Sequence, residues 1–228
     1  MPRLIVLMLA TLAVLAGPPV RAETSASGEE DAVFLIATPR LIDPRYSRTV
    51  VLTVPTDNDQ HIGFIINRPT KQSLASLFPE HEPSKKVVDP VYVGGPMAAD
   101  ALFALVKTEQ RPSSDSLEMM THLFFAKRVD VVDHVIETTP NDARYYVGYI
   151  EWRPGELRDE LARGLWLVSN ADLDTVFLKD TSDLWEELTH RSQAINASLR
   201  RLDPRARALL QPGPAGVLRA AWRPSSGE

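Results

Sequence analysis

Apolar and polar positions change period several times along the chain, and each change marks an element. "VFLIAT" (33–38), "RTVVLTVP" (48–55) and "HIGFIINRP" (61–69) are short runs of β-branched and apolar residues, the composition of strands. The polar "TDND" between the second and third predicts a hairpin. Pro69 lacks a backbone donor, so the ladder should stop just after Asn67 and Arg68, leaving those polar side chains at a strand end. "SLASLF" (73–78) reads as a short helix, "EHEPSKK" as a loop and "VVDPVYVGGP" (87–96) as a strand entering a Gly-Gly-Pro break. Gly94 and Gly95 imply backbone that needs positive φ or passes close to something.

"LFALVKTEQ" and "LEMMTHLFFAKR" are the next strand candidates, the second also open to a helical reading. "DVVDHVIETT" has helical apolar spacing with Asp130 placed to cap it, and "ARYYVGYIEW" is strand-like. In "RPGELRDELARG", Pro154 suits a first helical turn, Glu156 lies where the helix dipole favours an anion, Leu157 and Leu161 share a face, and Gly164 is a natural C-terminal cap. "LWLVS" is a further strand and "ADLDTVFLK" a connection. "TSDLWEELTHRS" is a last helix with Ser182 as cap and Leu184, Trp185 and Leu188 inward. Strands before and between a few short helices indicate α+β rather than βαβ winding.

The first residues add a topological expectation. Arg3, the apolar run Leu4–Ala16, a Gly-Pro-Pro break and Val20-Arg21-Ala22 read as a cleaved signal peptide, 1–22, followed by a linker, 23–31, a domain, 32–192, and a tail, 193–228. Export, with a periplasmic location and no transmembrane span after cleavage, is the expectation; the alternative is a cytosolic protein whose N-terminal segment is not a working signal. The tail carries Arg200, Arg201, Arg205, Arg207, Arg219 and Arg223 among Pro and Gly and is expected to be disordered. With no Cys the chain has no disulfide. A formal charge of −5 and a pI of about 5.6 argue against nucleic acid as a partner.

The chemical signatures are mostly missing. There is no nucleophile elbow, phosphate loop, dinucleotide fingerprint or His-Glu-x-x-His. His61, His81, His122, His134 and His190 show no helical ligand spacing, so neither a metal site nor a cofactor is expected. "DNDQHIG" reads as a hairpin turn rather than a calcium loop, because its Gly falls late and no closing acid follows.

Four ordered segments, "DPRYSRTVVLTV" (43–54), "GFIINRP" (63–69), "VYVGGP" (91–96) and "GYIEWRPGEL" (148–157), resemble the YqgE/AlgH family of bacterial proteins over roughly residues 32–190. The resemblance implies a single α+β domain with a bifurcated, partly barrel-like mixed sheet surrounded by short helices, and no established activity. The chain departs from the family pattern in carrying Glu156 where Gln is usual and in its export-like N-terminus. On this mapping Asn67, Arg68, Gly94, Gly95, Trp152, Gly155 and Glu156 are the candidate ligand-binding residues, with Asp43 as an ion-pair partner of Arg68. A guanidinium, backbone N–H groups and a helix start facing one cleft would suit an anionic ligand or a carboxylate-bearing protein segment. The same residues also read as scaffold, with Arg68 pairing Asp43 or Glu156 and capping carbonyls. A non-catalytic exported binding or regulatory module is the leading expectation. Its rivals are a hydrolase with Glu156 or Asp43 as base and, third, a transcriptional regulator.

Overall fold

β-Branched and aromatic runs become strands where the sequence places them, and most are buried on both faces. The protein is described by a computed structural model over residues 32–201 of its 228. The strands are β1 (Val33–Ala37), β2 (Val50–Pro55), β3 (His61–Ile65), β4 (Pro69–Ser73), β5 (Pro90–Val93), β6 (Met97–Lys107), β7 (Leu117–Met120), β8 (Leu123–Ala126), β9 (Ala143–Trp152) and β10 (Trp166–Asn170). The helices are α1 (Leu74–Leu77), α2 (Val129–Thr138), α3 (Glu156–Ala162), α4 (Leu173–Val176) and α5 (Leu184–Arg201). The expected signal peptide, the linker up to residue 31 and the tail beyond Arg201 lie outside the described residues.

One curled sheet runs in the order β10-β1-β2-β3-β9-β6-β8-β7. Its strands are antiparallel neighbours except at β9, whose second half pairs with β3 while its first half takes β5 in parallel, and β5 in turn carries β4. The sheet is therefore mixed and bifurcated, with helices around it: the expected α+β domain. Phe34, Ile36 and Leu52 point into one core with Leu184 and Leu188 of α5, while Leu35, Ala37 and Val51 point into another with Leu157 of α3. Burial on both faces explains why β1 and β2 read as continuous apolar runs instead of alternating ones.

The fork in the sheet is made by glycines. A Cβ on Gly94 would lie 2.2 Å from the Gly148 carbonyl oxygen, and one on Gly95 would lie 2.3 Å from the Tyr149 carbonyl. Gly148 itself has φ +69°. Beneath β9 a second core of Leu74, Val91, Val132, Val135 and Ile136 joins α1 and α2 to the sheet. Arg144, fully buried, donates to the carbonyls of Val176 (2.6 Å) and Leu178 (2.9 Å) and pairs with Asp89 at 3.3 Å, tying the end of α4 to β9.

Several local expectations are corrected. Pro69 does not only end a ladder: it is the first residue of β4, a position where a missing N–H is tolerated. "LEMMTHLFFAKR" is neither one strand nor a helix but the β7–β8 hairpin, turned at His122 with φ 63°. Asp130 lies inside the first turn of α2 and pairs with Arg128, which holds the cap position. Ser182 does not cap α5; its N–H is taken by Asp180 at 3.0 Å. Helix α5 continues to Arg201, so the described start of the expected tail is helical.

Candidate functional site

The corner where β9 runs into α3 is where the sequence motifs meet. Trp152 ends β9, Gly155 turns the chain with φ +83°, and Glu156 opens α3. The far end of α3 closes on Gly164, whose N–H bonds to Leu161 while that of Leu165 bonds to Glu160, and Thr38 Oγ1 donates to the Gly164 carbonyl at 2.8 Å. Strand β10 then brings Trp166 back beside Trp152, ring centroids 6.3 Å apart at 80°. Tyr46, from the loop between β1 and β2, packs edge-on against Trp166 at 6.2 Å.

Between these elements lies a cavity of about 230 Å³ lined by Leu41, Asp43, Arg45, Tyr46, Ile150, Glu151, Trp152, Glu156, Glu160 and Trp166. Its organising group is Glu160. One carboxylate oxygen accepts both indole N–H groups, from Trp152 at 2.9 Å and Trp166 at 2.7 Å. Both rings are nearly inaccessible, 3% and 5% exposed. Glu160 stands in the last turns of α3, where the helix dipole disfavours an anion, so the two indoles offset an unfavourable placement. The other Glu160 oxygen accepts no hydrogen bond among the described residues.

Of the sequence-derived residues, Trp152, Gly155, Glu156 and Asp43 converge at this corner. Asp43 does not pair with Arg68. Arg45 grips it instead, its Nη2 2.7 Å from Oδ2 and its backbone N–H 2.9 Å from Oδ1, and these bonds hold the Asp43 carboxyl below the usual carboxylate range. Arg68 sits behind the loop, donating to the carbonyls of Arg45, Pro44 (3.2 Å) and Ser47 (3.0 Å), so it shapes the cleft wall without facing the cleft. Asn67 accepts from Val50 N–H at 2.9 Å and donates to the Arg48 carbonyl at 3.0 Å, replacing a ladder link. Gly94 and Gly95 are buried at the fork and offer no N–H to the cleft; the Gly94 N–H bonds to Val147.

The anion expected from the motifs is not what this cleft suits. Glu156 Oε2 closes the helix start by accepting the Arg153 N–H at 3.0 Å, consuming the polarity an anion would use. Four carboxylates line the cavity against the one guanidinium of Arg45, so its field favours a cation. Among the lining residues there is no Ser, Thr, His or Lys, and Tyr46, the one hydroxyl, has its pKa raised chiefly by burial. Sequence reasoning passed over Arg45, Tyr46 and Glu160. The available signal was Glu160 standing one helical turn after Glu156, on a helix flanked in sequence by two tryptophans.

A curled, forked α+β sheet with a small acidic cleft floored by two indoles defines the class: a single-domain protein whose recognisable groups gather at the β9–α3 corner. A family model described as DUF179, AlgH-like, matches residues 34–196, and the chain belongs to that family. A UPF0301 protein of Thermobifida fusca is 33% identical over 169 residues, covering 69% of this chain and 84% of that one. A UPF0301 protein of Cronobacter sakazakii is 31% identical, covering 68% and 87%. In fold, the chain is similar to the AlgH protein of Pseudomonas aeruginosa, with a TM-score of 0.59, 24% identity and coverage of 79% and 96%. It is likewise similar to protein DIP2367 of Corynebacterium diphtheriae, at TM-score 0.57, 21% identity and coverage of 70% and 85%.

Proposed function

We propose that this protein is a non-catalytic binding module whose cleft takes a basic side chain presented by a protein segment. The observation that carries this reading is the lining itself: four carboxylates, one of them fixed by two indoles, around a cavity large enough for a guanidinium and its stem. Ile42, 89% exposed between the lining residues Leu41 and Asp43, supplies an apolar contact beside the charged mouth. A hydrolytic role would call for a carboxylate with a raised pKa, and Asp43 is shifted the opposite way. The first 22 residues support an exported module, and the acidic balance of the chain argues against DNA as its partner.

The test is an NMR titration of the full chain with acetyl-arginine methylamide, following the indole N–H signals of Trp152 and Trp166. Saturable shifts that weaken with added salt and vanish in the Glu151→Gln/Glu156→Gln variant are the expected result. Equal shifts with acetyl-aspartate or inorganic phosphate, or none with the arginine probe, would overturn the reading.

A further inference from the structure

At the other end of β9 from the cleft's helix, α2 lays Val132, Val135 and Ile136 into the second core and turns Asp133 and Glu137 outward. Those two acids are one helical turn apart on one face, a like-charge spacing that destabilises a helix unless something positive lies between them. The chain after α1 brings His81 to that place. The His81 N–H bonds to the Phe78 carbonyl at 3.0 Å, and Ser84, fully buried, returns its N–H to the His81 carbonyl at 3.1 Å. The Ser84 hydroxyl lies 2.7 Å from His81 Nδ1, which fixes the ring and leaves Nε2 facing the two carboxylates.

Nε2 is 3.6 Å from Asp133 Oδ1, and one ligand atom from each of His81, Asp133 and Glu137 lies within 4.8 Å of the others. A separation of 3.6 Å is too long for a hydrogen bond. It is close to the edge of a tetrahedron built on metal–ligand bonds of about 2.0–2.1 Å, roughly 3.4 Å. Holding the second ring nitrogen by a hydrogen-bond partner, here the Ser84 hydroxyl, is also how ligating imidazoles are oriented. We propose that His81, Asp133 and Glu137 form a divalent transition-metal site, zinc in the first place, clipping the loop after α1 to helix α2. The side chains of His81 and Asp133 are 31% and 57% exposed, which leaves the ion open to water for its remaining position. Sequence spacing hides this set because the histidine and the two acids come from segments far apart in the chain.

The experiment uses the tag-free full chain and zinc chloride, read by calorimetry and thermal shift, with cobalt absorption as a check on ligand geometry. The expected result is one zinc per chain and a rise in Tm. His81→Ala should weaken binding at least about tenfold, and Ser84→Ala, touching no metal, by about 10- to 100-fold through the lost ring orientation. Asp133→Asn/Glu137→Gln should abolish the zinc shift while its metal-free Tm equals or exceeds that of the wild type, because the like-charge repulsion is gone. Absence of stoichiometric binding overturns the proposal, as does binding that survives both His81→Ala and the double variant, which would belong to other histidines.

Discussion

Glu160→Ala is the perturbation that tests whether the cleft is a built site. In the wild type one oxygen carries two indole hydrogen bonds of 2.9 and 2.7 Å, with both rings almost wholly buried. Truncation strands two donors. An unsatisfied buried donor costs about 1–3 kcal/mol, so the pair sets an upper limit of about 6 kcal/mol. Two effects lower it: the cavity admits water to the vacated space, and removing an anion from the end of α3 returns about 0.3–1 kcal/mol of dipole energy. The net expectation is about 2–4 kcal/mol, or a fall in Tm of roughly 4–16 °C for a domain of this size. Glu160→Gln keeps an acceptor oxygen but loses the charge that strengthens both bonds, and should cost about half as much. Urea unfolding followed by tryptophan fluorescence gives the free energies, and NMR should show the two indole N–H signals moving upfield in Glu160→Ala. A loss below about 0.5 kcal/mol in Glu160→Ala, or equal losses in both variants, would refute the claim that these bonds hold the cleft together.

Two further expectations concern buried ionisable groups. His61 opens β3 opposite Trp152, is 7% exposed, and has an Nδ1 with no partner among the described residues; burial, the largest cause, lowers its pKa below 6.5. The unfolded chain therefore binds a proton that the folded one resists, so stability is complete above about pH 6.5 and falls as pH drops towards the folded pKa. Urea midpoints from pH 8 to 5 should fall more steeply for wild type than for His61→Phe, and parallel profiles would refute this. Arg144→Met keeps the bulk of a fully buried side chain but frees two carbonyls and Asp89, and should cost about 3–5 kcal/mol. Asp89→Asn should cost less, because the guanidinium keeps both carbonyls; the reverse order in urea unfolding would contradict the assignment of Arg144 as the clamp.

Much of the architecture was legible because burial on two faces writes itself as uninterrupted apolar runs. β1, β2, β3, β5, β9 and β10 fall where Val, Ile, Phe and Trp concentrate. Strand β4, "PTKQS", was not legible: it is largely exposed and owes its form to pairing with β5, not to its own composition. Helix α4 is a single turn set by Asp172, whose carboxylate takes the Thr175 N–H at 2.8 Å, a signal that in sequence looks like any Asx turn. The Gly94–Gly95 reading of close approach left the neighbour open, and that neighbour is backbone at Gly148 and Tyr149. Trp152, Gly155, Glu156 and Asp43 do gather at the β9–α3 corner, but side-chain direction did not follow from order along the chain. Arg68 and Asn67 lie behind the wall they were expected to face, because the loop carbonyls of residues 44–48 compete for their donors.

The pairing of the first strand with the last has a consequence for how the chain comes off the ribosome. Val33 faces Asn170 and Ala37 faces Trp166, so one edge of β1 has no partner until almost the whole domain has been made. At about 5–20 residues per second that interval lasts roughly 7–30 s. Throughout it Phe34, Leu35 and Ile36, a segment with no charge and strong strand preference, present an open edge. Until β10 docks, the chain therefore carries an apolar edge open to pairing with other chains, a state in which concentration, not the final stability of the sheet, sets how much is lost to association.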